Sequence, residues 1–203
     1  MRSTPRRRSS LSDRLASRGQ GKGLRRPSRS AGRVIVREAT ARDLPVLVVH
    51  RRRMWRAIGR RNRAELDAHD RRYRRWFATE RAADRLRAFV AVDAGDGRVL
   101  GSGALWLTPS QPRPGPRSRD AAPYLLSMFT EPSARGRGVA SHLVRAMVAW
   151  SRVHGFLRIT LHASKMGRSV YERLGFVSTN EMRLELRAPR RRQGLRTTAR
   201  RRH

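Results

Sequence analysis

The pattern of apolar and polar positions along the chain predicts alternating strands and helices. Strands appear as short apolar or alternating runs, and amphipathic stretches of helical period separate them. The predicted order is a strand, two helices, three strands, a helix, a strand, a helix and a last strand. The predicted strands cover residues 34–36, 88–92, 99–107, 124–130, 158–161 and 182–186. The predicted helices begin near residue 40 with a break near 59, resume over 64–83, and then cover about 139–154 and 166–174.

Three local signals support these boundaries. Thr40 and Asp43 have the spacing of a capping box that opens a helix. The pair Asp96-Gly97 lies between two apolar runs and predicts a hairpin turn. Residues 109–120 contain four prolines and no apolar period, so they are predicted to form a loop.

Composition divides the chain into a globular segment and two basic ends. Residues 1–32 and 187–203 are polar and rich in Arg, with few large apolar side chains, so we expect disordered basic tails. One domain is expected over residues 33–186, a length that can bury a single core. The sequence has no run of about 18 apolar residues and no signal-peptide pattern, which predicts a cytoplasmic protein without membrane association.

The chain has no cysteine. Disulfides, thiolate metal sites and a cysteine nucleophile are therefore excluded. His142, His154 and His162 have no spacing that is typical of metal ligands, so no metal site is predicted.

The net charge of +33 raises a second hypothesis. Clustered arginines neutralise phosphates, so the tails predict some non-specific, salt-sensitive binding to nucleic acid. Only two of the 48 basic residues are lysines, Lys22 and Lys165, an imbalance more typical of codon bias than of selection for phosphate contacts. The alternative function is therefore a basic protein associated with nucleic acid or with the ribosome.

A glycine-rich segment follows the apolar run at 124–130 and opens the next amphipathic stretch. It reads Arg135-Gly136-Arg137-Gly138-Val139-Ala140. A glycine turn at a helix N-terminus offers backbone N–H groups and the positive end of the helix dipole, which suit a phosphate. The segment lacks the lysine of a P-loop, and Ser141 stands where a dinucleotide fingerprint has its third glycine. The segment is therefore predicted to be a diphosphate cradle.

A second motif lies downstream and reads Val170-Tyr171-Glu172-Arg173-Leu174-Gly175-Phe176. Together with the Arg-x-x-Gly-x-Ala pattern on Arg135, Gly138 and Ala140, it resembles the GNAT superfamily of acyl-CoA-dependent N-acyltransferases, over roughly residues 33–186. The resemblance implies the GNAT fold, an α/β architecture with a mixed central sheet flanked by helices. It also implies an N-acetyltransferase that moves an acetyl group from acetyl-CoA to a primary amine without a metal.

The resemblance further implies where acetyl-CoA binds. In this family the strand before the cradle splays from its neighbour and pairs with pantetheine, and here a backbone N–H near Met128 would face the thioester oxygen. Ser164 stands where many relatives have an asparagine that hydrogen-bonds pantetheine. The implied cofactor-binding residues are Met128, Phe129, Thr130, Arg135, Gly136, Arg137, Gly138, Val139, Ala140 and Ser164.

Tyr171 matches the tyrosine that the family places beside the sulfur of CoA. A phenol remains protonated at neutral pH and can donate a proton to a departing thiolate. The resemblance therefore implies that Tyr171 is the catalytic acid. The alternative is a half-buried tyrosine that only packs against the sheet.

The residue that deprotonates the amine is not identified by the sequence. The candidates are carboxylates beside the strands or in the helical region, namely Glu131, Glu181, Glu65, Asp67 and Asp70. Each is also explained as a solvated surface charge. Because a cysteine acyl-enzyme is excluded, direct attack by the amine in a ternary complex is expected. The acceptor is not identified, and its pocket is expected between residues 39–83 and the loop at 109–120.

Overall fold

Five strands form one sheet in which each strand lies beside the next one in the chain. The computed structural model describes residues 32–111, 114 and 120–184. The strands are β1 (Val34–Glu38), β2 (Leu86–Asp93), β3 (Val99–Pro109), β4 (Ala121–Thr130) and β5 (Thr160–Leu161). The first four are antiparallel to their neighbours, and β5 runs parallel to β4. The sheet is therefore mixed, as the sequence predicts.

Helices cover both faces of the sheet. The helices are α1 (Leu44–Ala57) and α2 (Arg63–Ala82) on one face, with α3 (Val139–Val153) and α4 (Arg168–Glu172) on the other. The side chains of β2 alternate between the two faces of the sheet. Ala88 and Val90 pack towards α1 and α2, whereas Phe89 and Ala91 pack towards α3. Burial on both sides explains why β2 is a continuous apolar run in the sequence. None of the described helices combines the length and the apolar character that crossing a membrane requires.

Two predictions near the C-terminal end differ from the structure. The run at 158–161 forms a strand only at Thr160–Leu161. The predicted last strand at 182–186 is wrong for residues 182–184, which have no regular structure, and residues 185–186 lie outside the described part. Met182 and Leu184 alternate like strand residues, but both side chains are exposed. An alternating pattern specifies a strand only where a neighbouring strand and a core receive it.

The loop predicted at 109–120 is bounded on both sides by residues of paired strands. Pro109 pairs with Ala121, so β3 and β4 extend to the edges of the loop. Residues 112–113 and 115–119 lie outside the described part. The tails predicted at 1–32 and 187–203 also lie outside it, apart from Gly32, and their disorder remains a prediction.

The chain enters α1 through the capping box predicted at Thr40 and Asp43. The backbone N–H and the hydroxyl of Thr40 both donate to Oδ2 of Asp43, at 2.7 and 3.0 Å. Arg37 donates one hydrogen bond of 2.8 Å to each oxygen of the same carboxylate. These bonds, with those from Arg37 contributing most, lower the pKa of Asp43 to about 2. The box closes a 3₁₀ turn, Ala41–Asp43, before α1 begins.

We expect Asp43 to make the stability of the protein depend on acidic pH. The pKa of Asp43 is about 2 in the folded chain and 3.8 in the ordinary, unfolded state. Its contribution, about 2 kcal/mol, is therefore present above about pH 4 and is lost as the pH falls towards 2. Asp43→Asn should be less stable than the wild type at pH 7, by about that amount, in urea unfolding.

Near pH 2 most of this stability difference should disappear, because the pH has then fallen to the pKa of the folded wild-type carboxyl. Asp84→Asn is the matched control, at a carboxylate that is 80% exposed, and should change the free energy of unfolding little. The same stability difference between Asp43→Asn and wild type at both pH values would contradict this assignment.

Candidate functional site

The glycine-rich segment lies between the end of β4 and the start of α3, as the sequence predicts. Gly136 and Gly138 have left-handed backbone angles, with φ of +78° and +73°, which favour glycine. Gly138 is the residue that precedes α3, and its carbonyl accepts the N–H of His142 at 3.0 Å. The N–H groups of residues 138–141 have no acceptor within the helix, which is the arrangement that binds phosphate groups.

The two arginines of this segment have different surroundings. Arg137 donates to Oδ2 of Asp93 over 2.9 Å, and this hydrogen bond is the main reason that the pKa of Asp93 is lowered. Asp93 is the last residue of β2 and also accepts the N–H of Gly95 at 3.0 Å. Arg135 is exposed beside the turn. Arg137 therefore ties the turn to the sheet, whereas the charge of Arg135 faces solvent at the predicted phosphate site.

The sheet opens between β4 and β5. These strands pair only at Tyr124 with Thr160 and at Leu125 with Leu161. From residue 126 to residue 130, no described strand pairs with β4 on that side. The backbone of residues 128–130 therefore borders the opening, where the family resemblance implies contacts with pantetheine.

β4 also bulges beside this opening. Its register with β3 shifts by one residue, so that Gly103 faces both Ser127 and Met128. Ser127 has a left-handed φ of +55°, which is uncommon for a residue other than glycine. A Cβ on Gly103 would lie 2.3 Å from Sδ of Met128 and 2.9 Å from Cε of Met147, so a larger residue there would require both methionine side chains to move. The bulge re-aims the backbone near Met128, the residue whose N–H is implied at the thioester oxygen.

Ser164, just before α4, and Tyr171, within α4, both lie beside Gly167. A Cβ on Gly167 would be 3.2 Å from the ring of Tyr171 and 3.3 Å from Oγ of Ser164. Oγ of Ser164 accepts the N–H of Gly167 at 3.2 Å and can still donate its own hydrogen. The ring of Tyr171 meets Phe176 edge-on, with 5.8 Å between centroids. Burial raises the pKa of the Tyr171 phenol above its ordinary value, so the phenol is protonated at neutral pH.

Glu181, one of the sequence-based candidates for the base, forms one chain of hydrogen bonds with His162 and Tyr124. Nε2 of His162 donates to Oε1 of Glu181 at 2.8 Å, and the phenol of Tyr124 bonds Nδ1 of His162. Tyr124 pairs with Trp106 of β3, and directly opposed residues point to the same face of a sheet. Because Tyr124 also pairs with Thr160, the chain lies where the opening between β4 and β5 begins.

A buried histidine, His50, is absent from the sequence-based candidates. Its Nδ1 lies 2.9 Å from Oγ of Ser102, and its Nε2 lies 3.1 Å from Oε1 of Glu131. Glu131 also pairs with Arg53. Burial lowers the pKa of His50, so the ring is neutral at pH 7. Its position three residues after the buried Leu47 in α1 is the helical spacing that marks it as a core residue.

The remaining candidates have local partners or face solvent. Asp67 and Asp70 both pair with one arginine of α1, and Glu65 is exposed in the first turn of α2. His154 stacks on a tryptophan at 3.8 Å, and His142 is exposed. In residues 32–111, 114 and 120–184, no three His, Asp or Glu side chains are grouped as metal ligands are.

A cavity of about 510 Å³ lies between α1, α2 and the sheet. Four aromatic residues form much of its wall, namely Trp55, Tyr73, Trp76 and Trp106. Leu126 and Ser127 of β4 complete it, so the cavity adjoins the bulge. Its helical wall falls within residues 39–83, where the acceptor pocket is predicted, and the remaining wall comes from β3 and β4.

Comparison with known proteins shows that the sequence and the fold are similar to those of acetyltransferases. The sequence profile described as "Acetyltransferase (GNAT) family" matches residues 51–176. A GCN5-related N-acetyltransferase from Ralstonia eutropha is 27% identical, with a TM-score of 0.66, and the match covers 76% of this chain and 99% of that one. A protein from Clostridium acetobutylicum, described as a "predicted acetyltransferase" and solved with acetyl-CoA, is 28% identical, with a TM-score of 0.65, over 76% of this chain and 96% of that one. The chain therefore has the fold that the resemblance implies.

One curated relative is similar in sequence over a shorter region. It is the glucosamine 6-phosphate N-acetyltransferase of Trypanosoma brucei brucei, 32% identical over 91 residues. The match covers 44% of this chain and 59% of that protein, so the chain spans little more than half of the relative's length.

Proposed function

The chain belongs to the acetyltransferase (GNAT) family, and we propose that it transfers an acetyl group from acetyl-CoA to a primary amine by direct attack in a ternary complex. One observation carries the proposal. The glycine turn before α3 follows the strand that borders the opening between β4 and β5. One ligand with a diphosphate and an extended arm fits both features. The similar structure that was solved with acetyl-CoA supports this choice of ligand.

The residues at this place suit acetyl-CoA, which would supply an activated acetyl thioester when bound. The backbone of residues 136–140, with the N–H groups from Gly138 onwards, and the charge of Arg135 would hold the diphosphate. The backbone of residues 128–130 would pair with the pantetheine arm, with Ser164 as a further donor. The N–H of Met128, at the bulge, would donate to the oxyanion that develops during transfer. Tyr171 would give its phenolic proton to the departing thiolate.

We assign the removal of the amine proton to the chain Tyr124–His162–Glu181. The phenol oxygen of Tyr124 would accept that proton while its own hydrogen passes to Nδ1 of His162, and Glu181 would stabilise the imidazolium. Tyr124 shares a face of the sheet with Trp106, which lines the cavity, so an amine in the cavity is on the same side. The Glu131–His50 pair is less suited to accept the proton of the amine, because Arg53 already neutralises the charge of Glu131.

His162→Gln is expected to lower turnover roughly 10-fold to 100-fold, because water replaces a missing proton relay only in part. The affinity for acetyl-CoA should not change, since the diphosphate and pantetheine are held elsewhere. The control is His154→Gln, which alters a histidine stacked on Trp150 and should leave turnover unchanged. Full turnover in His162→Gln would remove this relay from the mechanism.

The function itself is tested by binding and by turnover. We expect acetyl-CoA to raise the thermal midpoint of the protein and to bind one molecule per chain in calorimetry. A panel of primary amines with a free-thiol readout should then identify acceptors. Failure to bind acetyl-CoA would overturn the proposed function, whichever amines are tried.

The alternative of a protein associated with nucleic acid or the ribosome rests on net charge. The basic tails that suggest it lie outside the described residues. The same assays separate the two hypotheses, because a chain that binds RNA and not acetyl-CoA would support the alternative.

A further inference from the structure

The cavity beside the bulge contains cationic side chains and no carboxylate. Its described lining includes Arg51 and Arg72 but neither Asp nor Glu. The carboxylates of Asp67 and Asp70 on α2 are both paired with Arg52. A pocket for a polycationic amine is expected to present carboxylates to it, since a charge removed from water needs an opposite charge. This cavity presents the opposite sign.

Arg51 is the cation inside the cavity, and aromatic rings enclose it. Its guanidinium carbon lies 4.6 Å from the ring centre of Tyr73 and 5.6 Å from that of Trp55. Its Nη1 donates to Oγ of Ser127 at 2.7 Å, which fixes the guanidinium at the bulge of β4. Burial is the main reason that the pKa of Arg51 is lowered, so the charge is held where water screens it poorly.

The partners of Arg51 differ from those of the next two residues in α1. Arg52 pairs with Asp67 and Asp70, and Arg53 pairs with Glu131. Among the described residues, no carboxylate lies within ion-pair distance of Arg51. The charge of Asp70 acts on Arg51 from beyond ion-pair distance, but Asp70 is itself paired with Arg52. A half-buried cation without a counter-ion of its own is costly, so its retention in a cavity is best explained by an anion that binds there.

Two buried N–H groups of the cavity wall also have no hydrogen-bond partner among the residues that the structure describes. They are Nε of Arg51 and Nε1 of Trp55, both shielded from solvent. A buried donor without an acceptor costs about 1–3 kcal/mol. Such groups are rare in folded proteins unless a ligand or water completes them. Both belong to residues that line the same cavity.

We infer that the acceptor of this enzyme is an amine that carries an anionic group, bound by Arg51, and a flat or apolar body that lies against the aromatic wall. The inference rests on the proposed function and names the class of its second substrate. A carboxylate and a phosphate have the same hydrogen-bonding chemistry towards a guanidinium. Aromatic amino acids and amino-sugar phosphates are therefore the two sources to compare.

The test uses two pairs of probes that differ only in the anion. They are L-phenylalanine with phenethylamine, and glucosamine 6-phosphate with glucosamine. Calorimetry on the full chain should show that the anionic member of at least one pair binds roughly 10-fold to 100-fold more tightly than its partner. The pair that shows the preference identifies the source of the anion. Equal binding in both pairs, or no binding of either anionic probe, overturns the inference.

Variants then connect the preference to its residues. Arg51→Gln should remove the preference, and Arg51→Lys should keep part of it, because the charge remains while the planar fork is lost. Trp55→Phe keeps an aromatic ring and removes Nε1, so it should lower the affinity for the anionic probe several-fold. Arg56→Gln, on an exposed residue of the same helix, is the matched control.

Acetyl-CoA binding separates this inference from the proposed function. All four variants should bind acetyl-CoA with wild-type affinity, which also shows that they fold. If they do, and Arg51→Gln retains the full preference for the anion, the inference is wrong although the function stands. If the wild-type chain does not bind acetyl-CoA, the proposed function fails first.

Discussion

Gly138→Glu is expected to reduce acetyl-CoA binding below detection in calorimetry, whereas the wild type should bind one molecule per chain. Gly138 has a φ of +73° and directly precedes α3. A side chain at this angle costs about 1–2 kcal/mol. A glutamate would also bring a negative charge to the N–H groups that are proposed to hold the diphosphate, and so would repel it.

Two controls separate the charge from the strain. Gly97→Glu introduces the same side chain at a φ of +69° with open space around it, in the turn between β2 and β3. It should cost similar stability and leave acetyl-CoA binding intact. Gly138→Ala should weaken binding less than Gly138→Glu, because it adds strain without charge. Unchanged affinity in Gly138→Glu would show that the cradle is assigned to the wrong place.

Tyr171→Phe is expected to lower turnover by roughly 10²–10⁴-fold, the usual contribution of a positioned acid. The substitution removes one oxygen and keeps the ring that packs edge-on against Phe176. Acetyl-CoA affinity should change little, because the diphosphate and the pantetheine are held by other residues. Burial raises the pKa of the Tyr171 phenol, so the wild-type acid remains protonated throughout the neutral range.

The structural alternative for Tyr171 makes different predictions. Phe176→Leu disturbs the packing of the ring without touching its hydroxyl, so it should lower stability more than turnover. If Tyr171 only packs against the sheet, Tyr171→Phe should have near-normal turnover and Tyr171→Ala should be unstable rather than slow. Turnover and acetyl-CoA affinity, measured for all three variants with one acceptor, decide between the roles.

The strand, turn and helix of the proposed cradle were predictable because these parts are adjacent in the chain, whereas diphosphate binding there remains a prediction. A strand, two glycines and an amphipathic helix follow one another within residues 124–154, and the φ angles of Gly136 and Gly138 agree with that interpretation. The capping box was predictable for the same reason, since Thr40 and Asp43 are only three positions apart in the chain. Short-range geometry of this kind is encoded in the order of residues.

Predictions failed or stayed open where distant segments decide the outcome. Residues 182–184 have the alternation of a strand, but their apolar side chains are exposed and no strand forms there. His50 was missed because its partners, Ser102 and Glu131, are 52 and 81 residues away in the chain. Tyr124, His162 and Glu181 likewise form one chain of hydrogen bonds only in the folded protein.

The sequence alone determined the order of the main elements, the position of the glycine turn before α3 and the family, because each depends on local periodicity or on a short motif. Tertiary structure decided which charges are free to act. In a chain with 48 basic residues, composition does not distinguish Arg51 from Arg52 and Arg53, which follow it. Packing pairs Arg52 and Arg53 with carboxylates, whereas Arg51 lies in an aromatic cavity with no carboxylate of the described residues within ion-pair distance. The partner of a charged side chain depends on which segments the fold brings within a few ångströms of it. A local sequence pattern does not specify which distant segments these are.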